Sequence, residues 1–116
     1  MTSTRMRRPD IVFIFSDQQH FRACGYRDGL FSTPAMEALA RESVSFDNTY
    51  CTTPLCSPSR ATLMTGLHPL AHGVVDNNLP LRQENIGRLL EDSGYHTGYF
   101  GKWHLRDEAI AVAGKG

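Results

Sequence analysis

The sequence has no long apolar run, no excess of either charge and no even set of cysteines, and each absence removes a class of protein. The apolar stretch Ile11–Phe15 is five residues long, far below the roughly 20 that a membrane helix needs. It is also shorter than a secretory h-region, and no small-residue cleavage site follows it. A soluble chain made in the cytoplasm, with no membrane partner, is the expectation. Twelve basic residues balance twelve acidic ones, so no basic face recommends nucleic acid or an anionic lipid surface. Three cysteines without an export signal argue against a disulfide framework. Internal repeats and low-complexity tracts are lacking too. A chain of 116 residues, 41% of them hydrophobic, holds one domain with one modest core. Residues 1–8, with Arg5, Arg7 and Arg8, read as a disordered lead-in, and Ala109–Gly116 thin out into small side chains.

What is present alternates between two patterns. Asp10–Phe15 is β-branched and aromatic without alternation, as in a strand buried on both faces. Thr33-Pro34 opens a helix through Arg41, with Met36, Leu39 and Ala40 as its buried stripe. Val44–Phe46 has the composition of a short strand. Ser57-Pro58 starts a second helix that ends at Gly66, and Ile86, Leu89 and Leu90 mark a third, closed by Gly94. Tyr95–Phe100 reads as a strand running into Gly101-Lys102-Trp103-His104. Strands alternating with helices predict an α/β fold with a largely parallel sheet. Ligands gather beyond the carboxyl ends of such strands, where Asp17-Gln18 and Lys102/His104 fall.

Cys56 carries the sharpest question. With Ser57 as N-cap, Cys56 stands at N′ beside the unpaired N–H groups of a helix start, a place that binds anions. Arg60, at N3, is then positioned to orient an oxyanion. A buried structural cysteine before an ordinary capped helix is the plain alternative. Cys51, Cys56, His68 and His72 also form C-x4-C-x11-H-x3-H, close to zinc-finger spacing. Gly66 and Pro69, however, interrupt the segment that would carry both histidines on one helix.

Cys56-Ser57-Pro58-Ser59-Arg60-Ala61-Thr62-Leu63-Met64-Thr65-Gly66 resembles the sulfatase signature C-x-P-S-R-A-x-L-x-T-G, and Gly101-Lys102-Trp103-His104-Leu105 resembles that family's second signature, G-K-W-H-L. The strand ending in Asp17 and the Thr33-Pro34 helix fit the family's beginning. The resemblance implies an alkaline-phosphatase-like α/β fold, a largely parallel sheet flanked by helices. It implies hydrolysis of sulfate esters by a type I enzyme whose signature cysteine, here Cys56, is oxidised by a formylglycine-generating maturase to an aldehyde. The hydrated aldehyde is the nucleophile. By the same resemblance Asp17 and residue 56 bind a divalent cation, usually calcium, and Gln18 stands where many members have a second aspartate. Arg60 and Lys102 hold sulfate oxygens, and His104 assists proton movement at residue 56.

Family members run to several hundred residues, and the remaining metal ligands lie beyond the G-K-W-H-L signature. The expectation is therefore an N-terminal part of a sulfatase catalytic domain, inactive alone, acting in full length on a sulfate-ester small molecule or sulfated glycan. The alternatives are a phosphonate monoester or phosphodiester hydrolase of the same superfamily, or a truncated module that binds metal or anion without turnover.

Overall fold

A computed structural model describes residues 8–106. The expected lead-in lies mostly on residues 1–7, and the small-residue tail on 109–116, both outside the described residues. The chain forms two compact units, Met1–Ser43 and Val44–Gly116.

In the first unit, a 3-10 turn over Phe21–Ala23 leads into helix α1, Gly25–Asp28, and then α2, Pro34–Glu42. His20 caps the turn, its Nδ1 accepting the Arg22 N–H at 3.1 Å. Thr33 precedes Pro34 at the start of α2 as predicted, but its hydroxyl does not cap that helix. It accepts instead the Gly25 N–H at 2.7 Å, while the Thr33 N–H donates to Glu37 Oε1 at 3.2 Å. The approach is close enough to require glycine at 25, since a Cβ there would lie 2.3 Å from the Phe31 carbonyl oxygen. Gly25 therefore locks α1 against the entry of α2. The expected apolar stripe of α2 is not buried: Met36 and Leu39 are 39% and 67% exposed.

In the second unit, α3 spans Cys56–Thr65, α4 Pro69–His72 and α5 Ile86–Asp92. Gly66, with φ of 70°, ends α3 by donating its N–H to the Thr62 carbonyl at 2.8 Å. Asn85 caps α5 through Oδ1, which accepts from the Gly87 and Arg88 amides at 3.0 and 3.3 Å. Gly94 follows the helix in left-handed geometry, as its sequence position suggested. α3 packs against both α4 and α5. Ala61, Met64, Val74, Leu81 and Leu105 make the small apolar core, with Ser57, Arg60 and His72 buried among the polar residues.

The expected sheet is not formed by the described residues themselves. No strand occurs among the described residues; the segments 10–15, 44–46 and 95–100 are irregular. Composition prepares a segment for a sheet, but a strand exists only when a second backbone runs alongside at about 4.8 Å. Ile11, Val12 and Ile14 are 54%, 80% and 86% exposed rather than buried on both faces, and Val44 and Phe46 are exposed as well. Phe13 and Phe15, two positions apart on one side of an extended chain, pack their rings at 5.4 Å. No helix among the described residues is long and apolar enough to cross a membrane.

Candidate active site

The helix carrying Cys56 begins two residues earlier than its sequence suggests. Leu55, in extended geometry, is the N-cap, so Cys56 is the first helical residue and Arg60 the fifth. The expected N-cap, Ser57, is committed elsewhere: it is fully buried, and its hydroxyl donates to the His104 carbonyl at 2.6 Å. Leu55 has no side-chain acceptor for the first-turn amides. Pro58 has no N–H to satisfy, and the Ser59 N–H reaches the Leu55 carbonyl at 3.0 Å. The Ser57 N–H is taken by Asn77 Oδ1 at 2.9 Å.

Two stretches of sequence about forty residues apart meet here. Lys102 Nζ lies 3.7 Å from Cys56 Sγ. Arg60, only 6% exposed, donates through Nη1 to the Lys102 carbonyl and to Tyr99 Oη. Tyr99 Oη donates to the same carbonyl at 2.6 Å, and its ring meets Trp103 edge-on at 4.9 Å. Trp103 is half-buried. With Ser57 on the His104 carbonyl and Arg60 on the Lys102 carbonyl, the backbone of the 101–105 loop is tied to α3 at two points. The loop cannot drift without breaking charge-assisted or buried hydrogen bonds, each worth about 1–3 kcal/mol. The Lys102 ammonium and the His104 ring, both exposed, project from a fixed backbone.

Asp17 and Gln18 lie in the first unit and are exposed. Gln18 has φ of 52° and His104 φ of 54°; with Asn78 they are the non-glycine residues in left-handed geometry among the described residues. Such backbone is uncommon for residues with a Cβ and collects at functional sites. Two of the expected site residues therefore carry it. The Asp17 carboxylate and the Gln18 amide carbonyl are hard oxygen donors, the class that calcium takes in a shell of about six to eight. No group of three or more His, Cys, Asp or Glu side chains suited to a metal occurs among the described residues.

Tyr99 and Asn77 carry no signal in the sequence, and His72, which the sequence offered only as a zinc ligand, has a structural role instead. His72 is 3% exposed. Its Nδ1 accepts the Val74 N–H at 3.1 Å, so the neutral ring carries its proton on Nε2, which meets Thr62 Oγ1 at 3.1 Å. Thr62 Oγ1 in turn meets Thr52 Oγ1 at 3.0 Å. Both nitrogens are thus engaged, Nε2 in joining α4 to α3 and Nδ1 in holding the turn after α4, which is incompatible with zinc ligation by this histidine. His68 is occupied in capping α4.

Burial holds the His72 pKa below its ordinary value of 6.5, and the neighbouring His68 adds to the lowering, while the Pro58 carbonyl opposes it. The folded protein therefore binds this proton less readily than the unfolded chain. The resulting stability is intact above the unfolded pKa, near 6.5. It falls as pH drops through 6.5 and levels off below the depressed folded value. Chemical denaturation between pH 8 and about 5 should show this loss, and His72→Gln, which does not titrate, should flatten it. An unchanged pH profile in His72→Gln would remove His72 as its source.

Comparison with known proteins agrees with the two signature segments. The sulfatase family model matches residues 9–108. An ulvan-active sulfatase of Formosa agariphila is 43% identical over 84% of this chain and 20% of its own length. The N-acetylglucosamine-6-O-sulfatase of Bacteroides thetaiotaomicron is 37% identical over 88% of the chain and 19% of its own. Human arylsulfatase A is 36% identical over 85% and 21%. The chain spans about a fifth of the length of these relatives. No solved structure matches it. A match over nearly all the described residues, with both signatures meeting at Cys56, shows that the chain belongs to the sulfatase family.

Proposed function

We propose that this chain is the N-terminal part of a formylglycine-dependent sulfatase that hydrolyses sulfate esters, with residue 56 as the nucleophile-bearing position. The observation that carries the reading is the approach of Lys102 Nζ to Cys56 Sγ, 3.7 Å across 46 positions of sequence. The thiol sulfur stands in for the hydroxyl oxygens of the hydrated aldehyde that the family's maturase makes from cysteine. That aldehyde hydrate supplies a hydroxyl nucleophile toward sulfur and a second hydroxyl whose deprotonation releases sulfate. Lys102 neutralises charge that develops on the sulfate oxygens, a role in which a fixed donor is worth most. Arg60 fixes the lysine's backbone from below and adds positive potential at the same helix start. His104 carries a proton to or from residue 56 and the leaving alcohol.

Asp17 and Gln18 would hold the divalent cation of the family, of the calcium class, which polarises sulfate oxygens when bound. Gln18 in place of a second aspartate supplies one negative charge fewer, which weakens the hold. The segments 10–15 and 95–100 become strands of an alkaline-phosphatase-like, largely parallel sheet in the full-length polypeptide. That context also completes the metal shell, so the 116-residue chain alone is inactive. The relatives named for ulvan and N-acetylglucosamine-6-sulfate chemistry make a sulfated glycan the favoured substrate class.

The test is an assay of the full-length enzyme, co-expressed with the maturase, against an aryl sulfate, a sulfated glycan, a phosphonate monoester and a phosphodiester. Preference for the sulfate esters is expected. Preference for the phosphorus esters would move the protein to the neighbouring hydrolases of the superfamily.

A further inference from the structure

We infer that Asn77 is the positioning residue of the nucleophile helix, an uncharged cap supplied from outside the helix that sets the direction in which side chain 56 leaves the backbone. The functional part of this inference rests on the sulfatase reading above; the structural part does not.

A helix start leaves its first amides without intrahelical acceptors. In α3 the residue at the N-cap is Leu55, whose side chain accepts nothing, and the serine best placed to help has turned its hydroxyl to the His104 carbonyl. Ser57 is fully buried, so water is a poor substitute at its N–H, and an unmet amide there would be costly. Asn77, twenty positions on, meets it through Oδ1 at 2.9 Å. Asn77 is itself held: its own N–H donates to Asp76 Oδ1 at 2.7 Å, and Asn78 takes left-handed geometry with φ of 73°. Val74 and Leu81, 0% and 1% exposed, anchor the two ends of this turn.

The Ser57 N–H belongs to the peptide group whose carbonyl is that of Cys56. That group is planar and rigid, so fixing its N–H fixes the backbone torsion that follows residue 56. Ser57 thus carries both halves of the site: through its amide the plane of residue 56, and through its hydroxyl the carbonyl of His104. Asparagine suits the position better than aspartate for an electrostatic reason. Both cap helices well, and a carboxylate interacts more favourably with the helix dipole. A carboxylate here, however, would add a negative charge at the helix end where an anionic ester has to bind. Asn77 caps without that repulsion.

The two roles separate experimentally. In the 116-residue chain, amide hydrogen exchange at Ser57 should accelerate about tenfold or more in Asn77→Ala, the loss of one buried hydrogen bond. The amides of Leu63 and Met64 in the same helix should stay as protected as in the parent. Asn77→Asp should keep Ser57 protected. In the full-length enzyme, with rates expressed per aldehyde at residue 56, Asn77→Ala should lower kcat on the order of 10- to 100-fold, the cost of a misplaced nucleophile. Asn77→Asp should recover most of kcat but raise KM for a sulfate ester, with high salt reducing the rise. Unchanged exchange at Ser57 in Asn77→Ala overturns the capping role. Unchanged kcat and KM in both variants overturns positioning. If Asn77→Ala loosens the whole unit, Asn77→Asp decides: retained protection with raised KM supports the inference, and lost protection rejects it. An inactive parent would count against the sulfatase reading alone, because the exchange result stands without turnover.

Discussion

Cys56→Ala is expected to abolish sulfate-ester hydrolysis in the full-length enzyme, a loss on the order of 10⁴-fold or more, as when a covalent nucleophile is deleted. The fold should survive, because Cys56 is only half-buried and the core beside it is built from Ala61, Met64, Val74, Leu81 and Leu105. Melting of the variant should stay within about 1 kcal/mol of the parent. Cys56→Ser is the more informative change. It keeps the shape of the side chain and a nucleophilic X–H group, so an enzyme that used residue 56 directly would keep part of its activity. An enzyme that needs a thiol to be oxidised to an aldehyde would lose nearly all of it with a thiol-dependent maturase. A formylglycine nucleophile requires the second result, and substantial turnover by Cys56→Ser would contradict it.

The second large effect is expected at Lys102. Its ammonium is the cationic group whose approach to Cys56 Sγ, 3.7 Å, defines the site. Removing one preorganised donor to developing negative charge costs about 10²–10³-fold in kcat, and Lys102→Ala should fall in that range. Stability should hardly change, for a structural reason. What ties the loop to α3 is the backbone carbonyl of residue 102, which receives Arg60 Nη1 and Tyr99 Oη, and alanine retains that carbonyl. Arg60→Ala should show the reverse balance, a clear loss of stability together with activity, since it removes the bond to that carbonyl from a buried site. Comparing kcat with denaturation midpoints for the two variants checks this division. A large stability loss in Lys102→Ala would place the side chain in the scaffold rather than the chemistry.

Three helices, α2, α3 and α5, were legible because their signals are local, whereas the one-turn helices α1 and α4 were not. Pro34 after Thr33 marks a start, and glycine at 66 and 94 marks two stops, within a few residues. The sheet was legible only as composition, because Ile11–Phe15 and Tyr95–Phe100 become strands only beside partner backbones, and none of the described residues provides one. Cys56, Arg60, Lys102 and His104 could be nominated from their signatures, and the structure brings the Cys56 and Lys102 side chains together and ties Arg60 and Ser57 to the loop's carbonyls. The function of Ser57 was misread, because its identity suggests an N-cap while its hydroxyl serves a carbonyl 47 positions away. Asn77 was invisible for the same reason. In the sequence it is one polar residue of a turn, and its acceptor role exists only once residues 57 and 77 are adjacent in space. Tyr99 likewise reads as unremarkable until its partner, the Lys102 carbonyl, is known, and His72 reads as a metal ligand until Thr62 is seen beside it.

The central claim is that residue 56 is the site of an aldehyde. Peptide mass mapping of the full-length protein, produced with and without the formylglycine-generating maturase, tests it most directly. With the maturase, the peptide containing residue 56 should be lighter by the difference between a thiol-bearing and an aldehyde-bearing residue, should react with an aminooxy or hydrazide probe, and should retain Cys51 as a thiol. Activity should rise in proportion to the aldehyde-bearing fraction. An active enzyme in which Cys56 remains an unmodified thiol would contradict the account.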